Sequence, residues 1–179
     1  IKAARPEAAT WDADELRTAL TWLRDKRKDE HFALWQVFAF TGMRRSEALA
    51  LRWKDINTKT QRISIRRAVN TVDWSKTKTV KTGSPRVIDI DEETLKALSK
   101  YKIARAELSF SLVKPDAFVF ADENGLIRSP DAVTSLWARR VLWLIDAYPD
   151  MERVNIKGLR HTHATLLLEL GVHPKVVQE

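Results

Sequence analysis

No cysteine occurs among the 179 residues, so neither a disulfide framework nor a thiolate metal site can form. No apolar run approaches the length of a membrane span, and the opening Ile1-Lys2-Ala3-Ala4-Arg5-Pro6 lacks a signal-peptide core. Repeats and low-complexity tracts are missing too. These absences leave a soluble, cytoplasmic protein without a membrane partner as the expectation. What is present fits it: 44% hydrophobic and 31% charged residues argue against disorder and supply one well-cored domain.

Acids are in deficit, with 24 Asp and Glu against 31 Lys and Arg and a net charge of +7. A basic excess favours polyanions through counterion release, whatever the base sequence. Its distribution says more than its size. Arg52, Lys54, Lys59, Arg62, Arg66, Arg67, Lys76, Lys78, Lys81 and Arg86 crowd one segment. That segment lies between Thr41-Gly42-Met43-Arg44-Arg45-Ser46-Glu47 and Lys157-Gly158-Leu159-Arg160-His161-Thr162-His163, each of which puts an arginine at the start of an apolar, helix-like run. Two separated arginines and a lysine on the Lys81-Thr82-Gly83 turn would grip one phosphate from several sides without a metal. Double-stranded DNA is the expected partner.

Periodicity gives a mainly helical α+β domain with a small antiparallel sheet and a basic hairpin. Thr10 reads as a capping hydroxyl ahead of Asp12, Asp14 and Glu15, with Leu16, Leu20 and Leu23 at helical spacing behind it. A second helix covers Phe32 to Phe40, is apolar nearly all round, and is broken by Gly42. Arg44 opens a third, short one reaching Leu51. Ile63-Ser64-Ile65 and Arg86-Val87-Ile88-Asp89-Ile90 alternate as strands, with the long basic hairpin between them. Asp91-Glu92-Glu93 caps a helix to about Leu108, and Phe118-Val119-Phe120 reads as a short edge segment. Ser129-Pro130-Asp131 starts a helix reaching Ile145, and a further one runs from Leu159 to Leu170. Trp22, Trp35, Trp137 and Trp143 sit among periodic apolar residues and read as core. Trp53 reads as packing between the Arg44 helix and the sheet, while Trp74 is either a base-stacking platform or plain surface.

At these motifs the chain resembles the catalytic domain of the tyrosine recombinases, the phage-integrase family. The resemblance rests on Thr-Gly-Met-Arg-Arg-Ser-Glu with Leu-Arg-Trp-Lys-Asp-Ile after it, on Lys-Thr-Gly at 81–83, and on Leu-Arg-His-Thr-His-Ala-Thr-Leu-Leu-Leu at 159–168. It covers residues 11–179, leaving 1–10 as a linker or domain boundary. It implies site-specific DNA recombination, the integration or excision of a phage or mobile element, through a 3′-phosphotyrosyl link without ATP, metal or other cofactor. It places Arg44 and Arg160 at the family's two arginines, Lys81 at its hairpin lysine, and Glu47 at the acid that orients the first arginine. Lys157 stands where the family usually has histidine, and a lysine that keeps its charge contacts phosphate better than it accepts a proton. The family's nucleophilic tyrosine falls beyond Glu179, since Tyr101 and Tyr148 both precede Arg160. The chain alone is therefore expected to be inactive, a monomer in solution and, in the complete protein, a tetramer on paired sites.

Around that site, Lys76, Lys78, Arg86 and Arg45 are expected DNA contacts. Arg139 and Arg140 read either as groove lining or as a solvated helix face. His161 reads as a buried or partner-bonded supporting residue and His163 as packing. His161 and His163 point to different helix faces, which disfavours a metal site with His173. The alternative function is a non-catalytic DNA-binding regulator derived from a recombinase. A type IB topoisomerase relative fits the integrase wording less well, and a metal-dependent nuclease lacks its carboxylate cluster.

Overall fold

A computed structural model describes residues 9–70, 72–79 and 85–174. Six helices occur in chain order among them: α1 (Ala13–Thr21), α2 (Phe32–Thr41), α3 (Arg45–Leu49), α4 (Glu92–Leu108), α5 (Pro130–Ala147) and α6 (Ile156–Glu169). Five short strands lie between α3 and α4: β1 (Ile56–Asn57), β2 (Arg62–Ile65), β3 (Arg67–Val69), β4 (Thr77–Thr79) and β5 (Arg86–Asp89). No described helix is long and apolar enough to cross a membrane.

The cap of α1 is Asp12, not the expected Thr10. Its carboxylate accepts from the N–H groups of Asp14 and Glu15, and Glu15 accepts from the Asp12 N–H in return. A carboxylate at the N-terminus serves both the free amides and the helix dipole, an advantage Thr10 lacks. α2 is the central helix, with every residue from Ala33 to Ala39 buried. Gly42 ends it at φ +59°, in the left-handed region.

Three tryptophans join the helical layers. The Trp137 ring lies 6.0 Å from that of Trp11 and 5.1 Å from that of Trp35. Their polar ends are satisfied: Trp137 Nε1 donates to the Val154 carbonyl and Trp11 Nε1 to that of Glu152. Burying each ring is worth about 4–6 kcal/mol of transfer free energy. An exposed ion pair such as Arg62–Asp89 contributes at most about 1 kcal/mol. The ring cluster thus outweighs the surface ion pairs in holding α5 and the approach to α6 onto α2.

Trp143, expected in the core, is 41% exposed; its face carries the Arg27 guanidinium at 4.3 Å and that of Arg140 at 5.2 Å. Trp22 is only half-buried, beneath Arg27. Both sit on the outer stripe of their helical turns, where indole meets cations instead of apolar neighbours.

β1, β2 and β5 form one antiparallel sheet in that order, with Ile63 opposite Ile88 and Ile65 opposite Arg86. The basic hairpin between β2 and β5 carries its own ribbon, β3 against β4, with Arg67 opposite Thr79. Phe118 makes a single bridge to Arg52 and no strand. Trp53 is buried as expected, its Nε1 donating to the Leu112 carbonyl.

Candidate active site

The Thr-Gly-Met-Arg turn places Arg44. Thr41 Oγ1 donates back to the Val37 carbonyl and accepts from the Met43 N–H, closing the turn after α2. Arg44 then stands in extended backbone as the N-cap of α3. Its backbone N–H donates to Glu47 Oε2 at 2.9 Å and its Nη1 to Glu47 Oε1 at 3.0 Å. Glu47 is 3% exposed, and a carboxylate buried that far needs cationic partners. Arg86 supplies the second, donating Nη1 and Nη2 to the two oxygens at 3.0 and 2.8 Å. Burial alone would raise the Glu47 pKa, but the hydrogen bonds from Arg86 and Arg44 and the Arg86 charge outweigh it, leaving it below the ordinary carboxylate value.

Arg160 comes from the second turn of α6. Asn155 caps that helix by accepting from the Gly158 N–H at 2.8 Å. Gly158 admits no side chain, because a β-carbon there would lie 2.6 Å from the Ala9 carbonyl oxygen. Arg160 Nη1 is buried and has no hydrogen-bond partner among the described residues. Burial first, then the charge of Arg44, lowers its pKa from the usual guanidinium value, yet arginine stays cationic in proteins. A cation with an unused, desolvated donor beside another cation is a site prepared for an anion.

Arg44, Lys157, Arg160 and His161 line one cavity of about 600 Å³, together with Arg45, Met43, Thr134 and Asn155. Lys157 and His161 are both exposed at it. Of the two readings of His161, buried or partner-bonded, the buried one does not hold, because it lies exposed on the cavity side of α6. The half-buried partner is His163, whose ring packs on the Gly42 turn and hydrogen-bonds the backbone of Ala39. Neither tyrosine lines this cavity: Tyr101 packs on Phe120, and Tyr148 ends α5.

The outer basic residues fall into different roles. Arg45 donates to the Pro130 carbonyl and the Thr134 hydroxyl and pairs with Asp131, tying α3 to the start of α5. Lys76 is exposed and pairs with Asp73; Lys78 lies half-buried on β4. Arg139 is exposed on α5. Arg140 is not at a solvated face or in a groove: it is 9% exposed and donates Nε to Asp29 at 2.7 Å. It faces inward because Asp29, buried beside His31, requires a cation. Lys81 lies outside the described residues. Among the described residues no three His, Asp or Glu side chains gather as metal ligands.

The Arg86–Glu47 pair escaped the sequence. Glu47 in an apolar run signals that a cation must reach it, but ten basic residues precede Lys157 in the neighbouring segment and nothing in their order singles out Arg86.

The family model described as the phage integrase family matches residues 10–179. The chain belongs to the phage integrase family. The ICEBs1 integrase of Bacillus subtilis (strain 168) is 28% identical over 146 residues, 78% of this chain and 38% of that protein. Among solved structures, the Tn1549 transposon integrase, in complex with a circular intermediate DNA, superposes with TM-score 0.84 at 21% identity, covering 99% of this chain and 59% of that one. XerA recombinase gives 0.72 at 20% identity, over 97% and 56%. The chain thus spans well under two thirds of these relatives, and the structural likenesses carry the tyrosine-recombinase catalytic-domain fold.

Proposed function

We propose that this chain is the catalytic domain of a site-specific DNA recombinase acting on a phage or mobile element, with duplex DNA as its substrate. The carrying observation is that Arg160, whose buried Nη1 has no partner among the described residues, lines the same cavity as Arg44. As a tyrosine oxygen bonds to the scissile phosphorus and the 5′-oxygen departs, negative charge grows on the two non-bridging oxygens. Two guanidinium forks meet that charge in a partly desolvated pocket, where it counts most. The P–O bond to the 5′-oxygen is replaced by one to tyrosine, so the later attack of a 5′-hydroxyl needs no external energy source. Lys81 is the proposed donor of the proton to the leaving 5′-oxygen. Lys157 is the proposed phosphate contact at the cavity mouth.

The nucleophile is proposed to come from outside this sequence, in keeping with the positions of Tyr101 and Tyr148 away from the cavity. The complete protein would be a monomer free and a tetramer on paired sites. A second reading, a DNA-binding regulator without cleavage activity, is favoured by one observation, the lysine at 157.

The test uses the intact coding sequence, continued past Glu179, and a nicked duplex from the DNA flanking its gene. A covalent protein–DNA band on a denaturing gel, without added metal and lost in Arg44→Ala, is the expected result. Duplex binding with no such band, across several candidate substrates, would replace the recombinase by the regulator.

A further inference from the structure

Arg86, the first residue of β5, occupies both oxygens of Glu47 with the two arms of its guanidinium. Arg44 reaches the same carboxylate with its backbone N–H and one terminal nitrogen, while its side chain stays 60% exposed. Two guanidinium groups therefore share a single buried carboxylate, and Arg160, whose charge is felt beside them, makes no ion pair with it among the described residues. Take Arg86 away and the balance changes. A lone buried carboxylate closes on the nearest guanidinium in a two-armed pair, the strongest arrangement open to it. That guanidinium is Arg44.

We propose that Arg86 is a positioning residue: by holding both oxygens of Glu47 it keeps the guanidinium of Arg44 open toward Arg160 and free for one phosphate. The identity of that phosphate as a DNA phosphate rests on the recombinase reading; the geometry does not. The role differs from that of a DNA contact, which needs the Arg86 fork directed at the duplex instead of at Glu47. It also explains why the fork is arginine, since a lysine ammonium is a point charge that cannot span two oxygens.

Inorganic phosphate titrated into this chain, followed by the ¹⁵N signals of the arginine Nε–H groups, reads the pocket without any reaction. In the wild type the Arg44 and Arg160 signals should move together. Arg86→Gln should weaken phosphate about tenfold, the equivalent of one charged hydrogen bond. Arg86→Lys should fall between the two. Glu47→Gln combined with Arg86→Gln should recover most of the loss, because the neutral amide no longer competes for Arg44. A purely structural Arg86 would not show that recovery. Unchanged affinity in Arg86→Gln, a double variant no tighter than it, or a wild type blind to phosphate would each overturn the proposal.

The salt dependence of duplex binding separates the rival role. The double variant leaves Arg44 open and removes the Arg86 fork together with the Glu47 charge it neutralises, so its slope should equal that of the wild type. A slope smaller by about 0.9 would make Arg86 a direct phosphate contact and overturn the positioning role. None of these measurements needs strand cleavage. A wild type that binds phosphate as described but forms no covalent DNA adduct rejects the recombinase reading and leaves the role of Arg86 intact.

Discussion

The His163 ring lies so close to Gly42 that a β-carbon at position 42 would meet its Cδ2 at 2.8 Å. One residue ends the helix before Arg44 and the other sits one turn after Arg160, so this contact locks the two arginine-bearing segments together.

Gly42→Ala combines that collision with a backbone at φ +59°, which costs a β-carbon-bearing residue about 1–2 kcal/mol. Urea unfolding should show at least that loss. Adding His163→Ala should return the steric share and leave the backbone share. A double variant as unstable as the single one would show that the ring is not the obstacle.

Arg44→Ala or Arg160→Ala in the complete protein should each remove roughly 3–4 kcal/mol of transition-state stabilisation, some hundredfold or more in cleavage rate. Duplex affinity should hardly change, because most of it comes from other phosphates. Single-turnover cleavage and filter binding on the same preparations check both halves.

Lys157→His should retain or raise cleavage, since either side chain can meet a phosphate oxygen at the cavity mouth. Complete loss of cleavage would show that the lysine itself is needed.

Stability should fall between about pH 7 and pH 5, carried by His31 and His163. Burial lowers the pKa of both, with the charge of Arg128 adding to it at His31 and that of Arg160 at His163. The unfolded chain therefore takes up these protons before the folded one does, and the folded state loses ground as pH drops below the ordinary histidine value of 6.5. Above pH 7 both states hold neutral imidazole and the effect is complete. Glu47 works in a lower window: its stabilisation is full above 4.5 and is lost as pH falls through its depressed folded value. Thermal melts of wild type and His163→Phe across pH 5–8 should show a shallower slope in the variant.

Asp29→Asn should cost about 3–5 kcal/mol, because it strands the buried Arg140 guanidinium. Arg62→Ala, at an exposed pair, should cost less than about 1 kcal/mol. The comparison, made by chemical denaturation, decides whether Arg140 is the inward residue described above.

The helices and the two arginines were legible because each rests on local grammar. A capped amphipathic run, a glycine where the chain must turn left-handed, and an arginine two residues after it are all written within a short stretch. The sheet was legible in the alternation of Ile63-Ser64-Ile65 and of the segment from Arg86 to Ile90, with Ile63 opposite Ile88, but the β3–β4 ribbon was not, since its strands carry little apolar alternation. Arg140 and Trp143 were misread for one reason. Both lie on α5, whose turned face is set by Asp29 more than a hundred residues earlier, and a long-range ion pair leaves no mark on local spacing. The partnership of Arg86 with Glu47 was hidden in the same way, across 39 residues.

The chain near Ala9 is laid along the helix that carries Arg160: the Ala9 carbonyl crosses Gly158, and the Trp11 N–H donates to Thr162 Oγ1 at 3.0 Å. Arg160 sits between those two anchor points, two residues from each. The segment at positions 9–11 therefore braces the α6 backbone on both sides of the second arginine.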